Sequence, residues 1–211
     1  MVPAFQIIIA ILLLAALAAW LAQFLRTPQG RQAIVRITSR LRRAAGNPLL
    51  TPIAHHDWES EAVFNPAAIE LGGRIHLLYR AIGADGISRL GYASSADGLT
   101  FDERLPYPVF QVVSPRELER KRLGKKRRYD PVLYPSGGSW GGCEDPRLVS
   151  IEEHVYLTFN AFDGWDYIRV ASVSLPAAEF ARKWWAWSRP LLLSPKGQVH
   201  KNWVLFPEKI N

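Results

Sequence analysis

Apolar positions run without a break at the amino terminus and alternate with polar ones further on. Residues 7–25 ("IIIAILLLAALAAWLAQFL") contain one polar side chain, Gln23, and no charge precedes Arg26. Such a run predicts a helix of about 28 Å, close to the thickness of a bilayer core. Two readings stand, a membrane anchor over residues 1–26 or a cleaved signal peptide. The absence of Lys or Arg before the run and the arginines after it favour the anchor. Ala16, Ala18 and Ala19 keep a cleavage site open. With the positive charge behind the anchor, the chain is expected to be a single-pass membrane protein with a cytoplasmic body. In "RQAIVRITSRLRR" (31–43), Ile34, Ile37 and Leu41 share one helical face among arginines. This predicts a basic amphipathic helix in a juxtamembrane segment, residues 27–46. It either lies on anionic lipid or is a solvated linker.

From residue 47 the pattern becomes strands and turns. "AAIEL" and "RIHLLYRA" flank Gly72-Gly73, a hairpin signal. "SRLGYASS" is a third strand, and "LPAAEFARKWW" has room for a helical turn or two. The order then repeats eighty residues on. Asn65-Pro66 matches Asp145-Pro146. Leu77, Tyr79 and Ala81 match Leu157, Phe159 and Ala161, and Arg89 matches Arg169. A third copy opens near the end, with Phe206-Pro207 in the polar-Pro place. Repeated small sheets of this kind build β-propellers, in which the inner strands converge on a central channel.

Composition changes this picture little. The chain has 48% hydrophobic and 21% charged residues, as folded proteins do. Its eight Trp, seven Tyr and nine Phe suit either a β core or sugar-stacking surfaces. The net charge of +7 is concentrated in the arginines of residues 26–43 and in "RELERKRLGKKRR" (116–128). The rest is net acidic, which argues against nucleic acid as a partner. The basic insertion is a solvated loop, a membrane-surface patch or, third, a nucleic-acid contact. The single cysteine, Cys143, excludes an internal disulfide. His55-His56 has no third ligand at metal spacing, so no metal is expected.

The candidate chemistry sits in "GGSWGGCEDPRL". Side chains of adjacent strand residues point to opposite faces, so one of Glu144 and Asp145 should face the channel. Glycoside cleavage needs an acid for the leaving oxygen. An inverting hydrolase needs a second carboxylate to activate water, whereas a phosphorylase needs cationic groups to hold phosphate.

"NPLLTP", "WESEAVFNPAA", "LLYRA", "SRLGYASSADGLTF", "GGCEDPRL" and "KNWVLFPEKI" occur in that order. Together, over residues 47–211, they resemble glycoside hydrolase family 130, the β-mannoside phosphorylases and β-1,2-mannosidases. The resemblance implies a five-bladed β-propeller with the active site in its central cavity. Its reaction is inverting cleavage of β-mannosides, by phosphate in most members and by water in some. It implies Asp145 as the general acid, passing its proton through a sugar hydroxyl. It implies Lys201 and Asn202 as phosphate contacts, and Arg80 and Ser88 as contacts of the donor sugar. Glu144, Asn65 and Arg147 join the substrate-binding wall. No cofactor is expected beyond inorganic phosphate as co-substrate. Family members run well past "FPEKI". The expectation is therefore an all-β, partial five-bladed propeller of about two blades and the start of a third. It would follow a transmembrane helix and be either completed by a second chain or left as a non-catalytic fragment that binds sugar or a partner.

Overall fold

The structure, a computed structural model, describes residues 4–27, 29, 43–112, 128–165 and 167–208, with backbone only for 4–14. The chain divides into two compact units, Met1–Ala45 and Gly46–Asn211. In the first, α1 runs from Ala4 to Arg26. Charge-free, alanine-rich sequence secures a helix by propensity. Crossing a bilayer is a further demand, and among the described residues no helix is long and apolar enough to meet it. Among residues 15–26 of α1, five are alanines, which offer little apolar area. This corrects the anchor expected over residues 1–26, the single-pass localisation and the orientation inferred from it. The amphipathic helix of residues 31–43 and nearly all of the basic insertion at 116–128 lie outside the described residues.

The second unit is mostly β-sheet. β1 (Ala62–Leu71), β2 (Arg74–Ile82), β3 (Ile87–Ser95) and the short β4 (Phe101–Arg104) form one antiparallel meander. β5 (Gly141–Ile151), β6 (His154–Phe162), β7 (Ile168–Pro176) and β8 (Leu191–Leu192) form a second. The first hairpin closes Leu71 on Arg74 around Gly72 and Gly73, whose φ angles of 60° and 75° give the tight turn that matches strand twist. The meanders meet where β3 and β5 pair in parallel, Ile87 with Gly141 and Ser88 with Gly142. Gly142 has φ 113°, and a Cβ there would lie 2.2 Å from the Ser88 carbonyl oxygen, so this junction requires glycine.

The period-two pattern of β2 serves two clusters. Leu78 faces the main core of Leu90, Tyr92, Cys143, Leu157, Phe159 and Phe180. Tyr79 and Ala81 face a smaller one closed by Leu50, Trp58, Val63 and Phe101. Phe180 comes from α2 (Ala177–Ala181), the short helix foreseen after β7. Trp185 and Trp187 stack at 6.3 Å and pack against the main core, whereas Trp184 is exposed.

Both first strands carry the same irregularity, eighty residues apart. Register shifts between Phe64 and Ala67 in β1, and between Glu144 and Arg147 in β5. Each bulge holds a polar residue in the left-handed region, Asn65 at φ 47° and Asp145 at φ 52°. Asn202 is also left-handed, at φ 60°. Asn65, Asp145 and Asn202 line one cleft together, and Val204-Leu205 sits beside Ala67-Ala68 and Leu148-Val149 in the next. The third copy expected at Phe206-Pro207 continues into residues 209–211, outside the described residues.

Candidate functional site

The bulge in β5 undoes the alternation expected of Glu144 and Asp145. With Asp145 in the left-handed region, one pair of cations reaches both carboxylates. Glu144 is fully buried and Asp145 keeps 13% of its side chain exposed, at the edge of an open cleft of about 180 Å³.

Arg80, on β2, is the organising group. Its Nε donates to Ser88 Oγ at 2.9 Å and its Nη1 to Asp145 Oδ1 at 3.4 Å. Its Nη2 faces Glu144 Oε1 at 2.7 Å, Ser139 Oγ at 2.9 Å and the Ser136 carbonyl at 2.6 Å. The Phe64 ring lies 4.8 Å from the guanidinium carbon. Arginine's rigid fork suits so many fixed acceptors, and a buried charge needs them. Ser88 is itself buried on β3, in the strand pair that also binds Gly142.

Glu144 accepts from Arg80, from Ser136 Oγ at 3.0 Å on both oxygens, from Ser139 Oγ at 3.0 Å and from Lys201 Nζ at 2.9 Å. With no exposed surface, it reaches the cleft only through the cations it holds. Asp145 is shared differently. Asn65 Nδ2 donates to Oδ1 at 2.7 Å, beside Arg80. Asn160 Nδ2 approaches Oδ2 at 3.4 Å, with Lys201 Nζ at 3.9 Å. Asn160 Oδ1 then accepts from the Asn202 backbone N–H at 3.2 Å, which links Asn202 to Asp145 through Asn160. Two acidic and two basic side chains thus share one largely buried cluster.

Arg147 is exposed on the cleft wall and, among the described residues, has no ion-pair partner. The cations beside Asp145 are Arg80 and Lys201 instead. Cys143 is completely buried, and burial pushes its thiol up to about 12, so it stays a small protonated hydrophobe. His56 is absorbed elsewhere, with Nδ1 2.6 Å from buried Glu59, which also accepts from Tyr79 and Arg104.

Three members of the site were not foreseen. Asn160 had a signal, because it stands eighty residues after Arg80 and occupies the same place opposite its bulge. Ser136 and Ser139 had none, being turn residues whose relation to Glu144 exists only in three dimensions.

A family model described as β-1,4-mannooligosaccharide phosphorylase matches residues 40–181. The β-1,2-mannobiose phosphorylase of Thermoanaerobacter sp. (strain X514) is 32% identical over 185 residues, covering 82% of this chain and 52% of its own length. The 1,2-β-oligomannan phosphorylase of the same organism is 35% identical over 182 residues, covering 82% and 51%. Thus the chain spans about half the length of the curated relatives it matches. A solved glycosyl hydrolase from Bacteroides ovatus superposes with a TM-score of 0.51 at 28% identity, over 72% of this chain and 40% of that one. A second has a TM-score of 0.50 at 30% identity, over 70% and 39%. It was reported with the finding that the GH130 family of mannoside phosphorylases contains glycoside hydrolases targeting β-1,2 mannosidic linkages in Candida mannan. With most of the second unit matched by the model and the relatives, the chain belongs to glycoside hydrolase family 130.

Proposed function

We propose that Gly46–Asn211 is the acid-bearing part of a β-mannoside phosphorylase, built as the opening blades of a five-bladed propeller. The observation that carries this is Asp145, fixed at a left-handed bulge on the rim of the cleft, with a separate amide and cation at each carboxylate oxygen. Asp145 protonates the leaving oxygen, through a hydroxyl of the sugar. Phosphate attacks the anomeric carbon from the opposite face. The glycosidic C–O bond breaks as the new C–O bond to phosphate forms, with inversion, and mannose 1-phosphate leaves with the shortened oligosaccharide.

The site favours phosphate over water as nucleophile. Hydrolysis with inversion needs a second carboxylate free to take a proton from water. Glu144, the nearest other carboxylate, is buried, and its oxygens are occupied by five donor contacts. Lys201 and the exposed Arg147 offer an anion positive charge at the cleft. Asn202 supports Asn160 and lines the same space. Ser88 acts on the donor sugar only through Arg80.

The test is phosphate-dependent release of mannose 1-phosphate from β-1,2-mannobiose by the full chain. Product formed without phosphate, as free mannose, rejects the phosphorolysis reading. Because the chain spans about half of its relatives' length, the second reading is a unit that binds sugar or a partner without turnover. Saturable binding with no product under any phosphate concentration selects it.

A further inference from the structure

The turn between β6 and β7 carries an aromatic residue that the site's chemistry has not used. Trp165 is 46% exposed, unlike the core pair Trp185 and Trp187. It is also unlike a stray surface tryptophan, because its ring is held on two sides. Phe162, buried at the end of β6, meets it edge to face at 5.8 Å. Lys201 Nζ stands over the ring, 4.9 Å from its centroid, and 5.4 Å from that of Phe162. The same Nζ is 2.9 Å from Glu144 and 3.9 Å from Asp145. One lysine head group therefore separates an exposed indole from the candidate acid.

The corresponding turn of the first meander carries no such group. Residues 83–86 are "GADG", and other backbone covers them: Tyr129 N–H donates to the Ala84 carbonyl, and Trp140 binds the Asp85 and Gly86 carbonyls. The second turn has an aromatic residue where the first has a lid. Its placement is fixed locally, since Gly164 at φ 78° and the Tyr167 N–H to Gly164 carbonyl bond at 3.2 Å close the turn.

We propose that Trp165 is a stacking platform for a pyranose ring of the substrate, adjacent to the bond that Asp145 protonates. This rests on the β-mannoside reading above. A hexose presents polarised C–H groups on one face and hydroxyls at its rim. An indole offers that face an electron-rich surface at low entropic cost. Lys201 on the ring strengthens the arrangement in two ways. It fixes the indole by cation–π attraction, and it places a cation where a rim hydroxyl or the incoming phosphate would lie.

The experiment is calorimetric titration of β-1,2-mannobiose into the full chain and its Trp165→Ala and Trp165→Phe variants. Thermal melts verify that each variant is folded. Trp165→Ala is expected to weaken the disaccharide about tenfold, the scale of one lost aromatic contact, and Trp165→Phe by no more than about threefold. Unchanged disaccharide affinity in Trp165→Ala overturns the platform. So does a loss confined to inorganic phosphate, which would make the ring a holder of Lys201 only. A parent chain that binds the disaccharide without turnover rejects the phosphorolysis reading and leaves the platform standing, provided Trp165→Ala loses that binding. A parent that does neither rejects both.

Discussion

The two meanders are built alike and spend their polar groups differently. Each begins with a bulged strand, a left-handed polar residue and a second strand eighty residues apart in register. In the first meander the bulge carries Asn65 and the opposing strand Arg80. In the second the bulge carries Asp145 and the opposing strand Asn160. Amide and charge are exchanged between equivalent places, and all four side chains then meet at Asp145. A repeated scaffold can thus make one asymmetric site: the backbone delivers each side chain to the same height, and the residue chosen there decides its role. The same contrast holds one position earlier in each second strand. Tyr79 donates to Glu59, whereas its counterpart Phe159 is wholly core.

The largest test of this division is Asp145→Asn. That change copies the amide of Asn65 into the second bulge and keeps the left-handed preference. Turnover should fall by at least about a hundredfold, the usual contribution of a general acid, with the fold intact. Mannose 1-phosphate release and a melting curve measure the two. Activity comparable to the parent removes Asp145 as the acid.

Next comes Glu144→Gln, which strips the counter-charge from Arg80 and Lys201. Breaking one side of a buried pair costs about 3–5 kcal/mol. The urea midpoint should drop accordingly. A midpoint close to the parent's means that the cluster is less closed than its geometry indicates.

A smaller effect is expected from Tyr79→Phe, which makes the first meander resemble the second. The phenol is held well above its usual pKa, first by burial and then by the Glu59 charge, so it remains a donor throughout the neutral range. Its loss leaves buried Glu59 with one donor fewer, at about 1–3 kcal/mol. Unfolding in urea at neutral pH measures this.

The smallest effect concerns the turn after β3, which the second meander replaces with α2. Asp97 is lowered to about 2 by the Thr100 backbone N–H first, then by Leu99 and the Ser95 hydroxyl. A depressed carboxylate contributes stability that is fully present above its unfolded value of 3.8 and lost as pH falls through about 2. Amide exchange of Leu99 and Thr100 should therefore accelerate across that acidic window. In Asp97→Ala it should be fast already at pH 5, with β6 and β7 unaffected.

Much of this was legible in the chain. Gly72-Gly73 marked its hairpin because only two left-handed residues close so short a loop. Asn65-Pro66 and Asp145-Pro146 marked the repeat, and each proline sits at a bulge, where no ladder donor is required. One expectation holds for a different reason: only Asp145 of the acid pair lines the cleft, but a bulge rather than simple strand alternation separates it from buried Glu144.

By itself, then, the sequence determined what local rules encode: the β-rich body, its eighty-residue period, its hairpins and the segment that bears Glu144 and Asp145. Only the tertiary structure decided which groups surround those carboxyls. Arg80, Asn160, Ser136 and Lys201 lie between 8 and 65 residues from Glu144 or Asp145 and meet them within 2.7–3.9 Å. It also separated Trp165 from the buried tryptophans. Contact at such distances follows from how the meanders are laid beside one another, and no periodicity along the chain records that. The uncharged amino-terminal run gives the same lesson in reverse: helix formation is a local property, and what the helix does depends on more than its own sequence.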